Sequence, residues 1–330
     1  MAKLIILKTD DTYFGGIVLY KSCKPLLRLT ALALAAIWCL LPSLALAKSK
    51  QPAAPPAPVK VTVLATAGVN GQIINWDYQF PRTAEFGLVR IASLVKKERQ
   101  NNPYTLLVDG GNMLSGSALT NYFAQETTKL PIPMVTMYNA LGYDAMVLGD
   151  GEFDYGPAYL SKALTLAKFP VLAANTSSAD KTWAKIKPYT IKEFDVGKEK
   201  KKKEFIRIGI IGISAMDAQT DPQSHTGLTF TDQAAAIAAA TKKLQKSVDA
   251  IIVVKNNGLE VNGVAAAVPG KFGSSLSKTD LTFEKIGKKW VVTQTDTSSI
   301  FAVTAPPDKA MTDAAWPYHD ATLQHLAKRP

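Results

Sequence analysis

The chain is 330 residues long and carries a net charge of +11, with two cysteines, Cys23 and Cys39. Both precede Ala47, so a protein cut there has no thiol, which excludes disulfides and cysteine-ligated metal; a domain of this length buries an adequate core without them. Internal repeats and a dinucleotide-binding glycine fingerprint are absent, which excludes solenoids and Rossmann-type cofactor binding.

Residues 25–47 read PLLRLTALALAAIWCLLPSLALA. Lys21, Lys24 and Arg28 lead into an apolar core that closes on Ala45-Leu46-Ala47, a small-x-small cleavage pattern. This is the form of a secretory signal peptide. Pro42 interrupts the apolar run, which falls short of the ~20 residues a membrane span needs. A periplasmic or secreted protein is therefore expected, with no membrane span once the signal is cut. Five basic and two acidic residues leave with it, taking the net charge from +11 to about +8. KSKQPAAPPAPVK then reads as an extended Pro/Ala linker. The expected division is signal peptide 1–47, linker 48–58, one domain over 59–305 and a C-terminal linker helix over 306–330.

VKVTVLAT opens the domain as a β-branched strand. AEFGLVRIASLVKKERQ sets Phe86, Val89, Ile91, Leu94 and Val95 at roughly helical spacing. YTLLVDG is a buried strand. Residues 131–142 and then 144–148 repeat the order of helix and strand, and GPAYLSKALTLAKF and PVLAAN repeat it again. IKEFDV and FIRIGIIGI flank the basic run KEKKKKE at 198–204, which reads as a solvated hairpin tip. With no aromatic residues interleaved, that run does not support nucleic-acid binding. TDQAAAIAAATKKLQKS is a helix and VDAIIVV a strand. From 261 onward the pattern is all-β, and AAWPYHDATLQHLAKRP closes the chain as one short helix. Alternating strands and helices predict a largely parallel sheet, with the later β-rich segments supplying a second sheet packed on the first.

Several loops carry a resemblance. VTVLATAGVNGQIINWDY, TLLVDGGNMLSGSALTNYF, MYNALGYDAMVLGDGEFDYG and LSKALTLAKFPVLAANT, in this order, resemble the metallophosphoesterase (calcineurin-like) domain of the bacterial 5′-nucleotidases. Trp76-Asp77-Tyr78 and PGKFGSSLSKTDLTFEK are most similar to the 2′,3′-cyclic-nucleotide 2′-phosphodiesterase/3′-nucleotidase group. The resemblance implies an α/β fold of two packed β-sheets flanked by helices. It also implies two divalent metal ions at the strand ends, where they acidify a water that attacks phosphorus.

The family's ligand positions are altered here. Its first loop carries Asp-x-His, where this chain has Gly68 and Asn70. Its second loop has a bridging Asp, where Asn112 follows Gly111. Its third, Gly-Asn-His-Glu, corresponds to Gly149-Asp150-Gly151-Glu152, so the phosphate-contacting His becomes Gly151. A later ligand His corresponds to Asn256, and the family's Gly-His-x-His loop has no counterpart between Gly258 and VNGVAAAVPG. The resemblance also implies a C-terminal nucleoside-gripping domain in the family, and no counterpart of it is expected within these residues.

The expectation is an exported relative of the nucleotidases that has lost hydrolysis and needs no cofactor. It would keep at most a pocket for phosphate or nucleotide, lined by loop amides near Gly68, Gly71, Gly111 and Gly116, with Glu152 beside it. Two alternatives stand: an active phosphoesterase with a non-standard metal site, and a structural or partner-binding role with the partner undefined. Asp150 with Asn70, Asn112 and Asn256 is an oxygen-rich cluster for a divalent ion, and one carboxylate is little charge for it. Asp109 and Glu152 read as braces holding loop amides, and Trp76 and Tyr78 as packing residues. His225 reads as solvated, and His319 and His325, six apart on one helix, do not share a face.

Overall fold

The computed structural model describes residues 56–328, apart from 127, 198–202, 217–226 and 257. The signal segment 1–47, most of the linker, the centre of the basic run and His225 lie outside the described residues.

Twelve strands form two main sheets among these residues. In chain order they are β1 (Val59–Thr66), β2 (Thr105–Asp109), β3 (Ala145–Val147), β4 (Val171–Leu172), β5 (Ile186–Lys187) and β6 (Tyr189–Asp195). β7 (Phe205–Ile213), β8 (Ala250–Lys255), β9 (Gly258–Val261), β10 (Val264–Ala265), β11 (Ser275–Ile286) and β12 (Lys289–Phe301) follow. The first sheet has the order β12-β11-β1-β2-β3-β4-β5, and its run from β1 to β5 is parallel. The second has the order β10-β9-β8-β7-β6, with only β7 and β8 parallel. Helices α1 (Leu88–Asn101), α2 (Ala118–Gln125), α3 (Pro133–Leu141), α4 (Gly156–Leu166), α5 (Gln233–Leu244) and α6 (Lys309–Leu326) complete the fold.

The two faces of each strand explain the layering, because successive side chains point to opposite sides. Val61, Val63, Leu106, Val108, Ala145 and Val147 face the second sheet and meet Ile206, Ile208, Ile210, Ile252 and Val254 there. Leu64, Leu107 and Met146 point the other way, into the core made with α1, α3 and α4. α5 covers the outer face of the second sheet through Ala240 and Leu244 on Ile211, Ile213 and Val253. Gly212 permits the closest approach of the sheets. A Cβ there would fall onto the Cβ of Leu172, well inside van der Waals contact.

The parallel α/β portion matches the expectation, and two parts differ. β11 and β12 join the first sheet rather than the second, with β11 antiparallel to β1 from Val59↔Phe283 to Ala65↔Ser277. The reason is burial: Leu281 and Phe283 complete the core between the sheets. Of the late segments only β9 and β10 enter the second sheet. The C-terminal helix begins before the AAWPYHDATLQHLAKRP stretch that was expected to form it, and it packs on the domain. It starts at Lys309, where the Asp308 side chain accepts from the Met311 amide, and it continues through Pro317. Met311, Ala315 and Tyr318 bury it against the helix layer. α2 was not expected; it is fixed by a Ser117 cap in which the hydroxyl accepts from the Thr120 amide. β6 and β7 form the antiparallel pair expected around the basic run, closed by the Val196 amide donating to the Glu204 carbonyl at 2.6 Å. Among the described residues no helix is long and apolar enough to cross a membrane.

Candidate functional site

The carboxyl ends of β1, β2, β3 and β8 converge, and the loops that follow them hold nearly all the positions singled out in the sequence. Backbone hydrogen bonds join the first two loops: the Gly68 amide donates to the Gly111 carbonyl (2.9 Å) and the Asn70 amide to the Asn112 carbonyl (2.8 Å). Asn70 and Asn112 both take left-handed backbone angles, with φ of 51° and 62°. Asn tolerates that region better than other side chains do. The side chain of Asn112 reaches the third loop, where its Oδ1 accepts from the Gly151 amide at 2.9 Å. Asn256, at the end of β8, donates through Nδ2 to Oδ1 of the exposed Asp150 at 3.3 Å. Gly71 and Gly116 shape the same surface: a Cβ on Gly116 would stand 2.8 Å from the Cβ of Asn70.

Glu152 is the centre of this arrangement. It is buried, and its Oε2 accepts from the amides of Asn112 (2.8 Å) and Gly149 (2.7 Å). Its Oε1 accepts from the amides of Met113 (2.7 Å) and Leu114 (3.2 Å). A concave run of amides is an anion-binding device, and here the chain's own carboxylate fills it. Burial raises the Glu152 pKa while the four donors pull it down. The anion-binding loop expected from the sequence thus has its second-loop amides already engaged. The amides of Gly68 and Gly111 are engaged too, on the Gly111 carbonyl and on Asp109.

Beneath it, Asp109 is fully buried at the end of β2. Its Oδ1 accepts from the Gly111 amide (2.7 Å), and its Oδ2 accepts from the hydroxyls of Thr66 (2.6 Å) and Tyr138 (3.0 Å). Tyr143 stacks on Tyr138 with ring centroids 4.0 Å apart, and its hydroxyl lies 2.8 Å from Thr66 Oγ1. Burial pushes Asp109 up to about 7, and the Glu152 charge adds to the rise. Burial and the Asp109 charge also push up both tyrosines. Asp109 and Glu152 therefore both brace loop amides. Thr66, Tyr138 and Tyr143 were not anticipated, since nothing in their local sequence shows that folding brings their hydroxyls to Asp109.

Two metal ions need several carboxylates or imidazoles with free lone pairs aimed at one place. Among the described residues no three His, Cys, Asp or Glu side chains form such a group. The oxygens of Asp109 and Glu152 face N–H and O–H donors rather than open space. A side chain at position 151 meets Ser115: a Cβ there would lie 2.7 Å from Ser115 Oγ, which donates to Asp154 at 2.5 Å. The residues present do not fit the two-metal centre that the resemblance implies. The two histidines among the described residues, His319 and His325, are elsewhere. His319 is buried against Trp76 and Tyr78, with its Nδ1 2.8 Å from the Tyr78 hydroxyl, and His325 packs on Tyr122. Trp76 and Tyr78 are packing residues, as expected.

No family model matches the chain. The trifunctional nucleotide phosphoesterase protein YfkN of Bacillus subtilis is 27% identical over 82% of this chain and 23% of its own length. The 2′,3′-cyclic-nucleotide 2′-phosphodiesterase/3′-nucleotidase of Salmonella typhimurium is 26% identical over 82% of this chain and 52% of its own. The chain thus spans about a quarter of the first relative and about half of the second. The crystal structure of the calcineurin-like phosphoesterase YfkN from Bacillus subtilis superimposes with a TM-score of 0.72 at 23% identity, covering 82% of this chain and 100% of that one. In sequence and in fold, this chain is a relative of the calcineurin-like phosphoesterases and 5′-nucleotidases.

Proposed function

We propose that this chain is an exported member of the nucleotide-phosphoesterase kinship that has lost hydrolysis and persists as a binding scaffold. The observation that carries the proposal is the state of the third loop. Glu152 closes the amide cradle from inside, Gly151 stands where the family's phosphate-contacting His is expected, and Asp150 is a lone exposed carboxylate bonded to Asn256. A strand-end site that cannot hold two metal ions lacks the acidified water that the family's route to hydrolysis uses. In the best zinc sites metal lowers the pKa of water from about 15.7 to about 7. At ~1.36 kcal/mol per unit, the driving force forgone is roughly 12 kcal/mol. Export rests on the N-terminal signal pattern. Phosphate or nucleotide bound at the strand ends would have to compete with Glu152 for the amides or sit outside them.

The test is elemental analysis of purified protein after exposure to Mn²⁺ and Zn²⁺, with hydrolysis assays on 3′-AMP, 5′-AMP and a 2′,3′-cyclic nucleotide. The expected result is no stoichiometric metal and no turnover. Two ions per chain, with turnover that EDTA abolishes and Asp150→Ala removes, would overturn the proposal. Thermal stabilisation by nucleotide without metal would identify the retained ligand.

A further inference from the structure

Among the described residues the two main sheets have four outer edges, formed by β12, β5, β10 and β6. An edge strand presents a row of unpaired N–H and C=O groups, and folded proteins guard it by shortness, charge or cover. Three of these edges are guarded. β5 and β10 are each two residues long. β6 carries Lys192, Glu193 and Asp195, with Lys192 paired to Asp144 and Glu193 to Arg207, both at 2.6 Å.

β12 has none of these guards. It runs from Lys289 to Phe301, and every residue from Thr293 to Ser299 is exposed, so that stretch is bare on both faces. The strand contains no proline, and after Lys289 its only charge is Asp296. Val291, Val292, Thr293, Thr295 and Thr297 give it a strong preference for pairing. A register shift between Thr282 and Phe283 of β11 lies at one end and leaves Gln294–Phe301 in unbroken pairing with Thr282 back to Ser275. On the far side, Thr293–Ile300 has no backbone partner among the described residues. The Ala267 amide approaches but donates to the Thr297 side chain, at 2.8 Å from Oγ1.

The charge pattern selects the occupant. The chain carries +11, so two copies repel over most of their surface. From Trp290 to Phe301 there is no Lys or Arg, which makes this edge a strip where two copies meet without setting cation on cation. On β11, Lys278, opposite Ser298, is already paired with Glu98 at 2.7 Å. An antiparallel pairing of the strand with its own copy is two-fold symmetric, so each copy gives and receives the same bonds. It sets the exposed Val291 end of one strand beside the exposed Phe301 end of the other. Because the remaining edges are guarded, the pairing closes at two copies rather than growing a fibre.

We infer that β12 is a dimerisation edge, to which a second copy of this chain adds its own β12 in antiparallel fashion, joining the two larger sheets into one. The inference is independent of whether the strand ends retain any phosphate chemistry.

Sedimentation velocity on the full protein, kept reduced because of Cys23 and Cys39, should show a dimer whose fraction rises with concentration. Thr295→Lys combined with Ser298→Lys puts one cation on each face of the exposed stretch, where no packing is disturbed. This pair should weaken dimerisation at least about tenfold, with a native circular-dichroism spectrum. Thr295→Glu combined with Ser298→Glu should weaken it in the same way. Mixing the Lys and Glu proteins should restore the dimer, since opposite charges then face each other across the strands. A monomer at every concentration, a dimer that both double substitutions leave intact, or a mixture no more associated than its separate components would each overturn the assignment.

Discussion

Replacing Glu152 by Gln isolates the claim that this carboxylate holds the loops from within. The native carboxylate takes four amide donors, two on each oxygen. A Gln side chain keeps one acceptor oxygen and turns an NH₂ toward the other pair, so two buried amides lose their partner. Each such loss costs about 1–3 kcal/mol, or roughly 2–6 kcal/mol together. Removing a buried charge returns part of this, which places the expected net loss at about 2–4 kcal/mol. For a domain of this size each kcal/mol moves Tm by about 2–4 °C, so the midpoint should fall by roughly 5–15 °C. Differential scanning calorimetry and urea denaturation read it directly. Glu152→Ala goes further, leaving all four amides open to an external anion. Acetate or phosphate should then raise its Tm in proportion to the logarithm of concentration, while leaving the native protein nearly unmoved. A Gln variant as stable as the native protein, or an equal anion response in both proteins, would refute the reasoning.

Two further outcomes are expected. Asp109 is raised to about 7 in the fold against about 3.9 in an unfolded chain. Between those values the native state keeps a proton that the unfolded state has released, so this group's stabilising contribution is lost as pH rises from about 4 to about 7. Relative to Asp109→Asn, the native protein should lose on the order of 3 kcal/mol across that range in urea titrations; a gap independent of pH would contradict it. Gly212→Ala should destabilise by about 1–3 kcal/mol through overpacking against Leu172, measurable as a lowered urea midpoint. An unchanged midpoint would mean that the sheets can separate without loss.

Much of this protein follows from local pattern. The β-branched and apolar residues of β1, β2 and β7 announce largely buried strands, and the periodic apolar positions of α1 announce a helix with one buried side. The loop positions that the resemblance marks as altered, Gly68, Asn70, Asn112, Gly151 and Asn256, could also be picked out without coordinates, because a changed side chain is written in residue identity. Other features depend on which segments meet. The strand that pairs with β1 lies more than two hundred residues away in β11, chosen because Leu281 and Phe283 complete a core that the order of the chain does not reveal. Glu152 reads as a loop brace from the sequence, but which amides it holds appears only when folding carries four of them from two loops onto its oxygens. Asp109 becomes hard to ionise only when folding buries it at the end of β2. Desolvation and hydrogen-bond satisfaction are properties of surroundings rather than of spacing, so the chemistry of this site emerges only after the layers have closed.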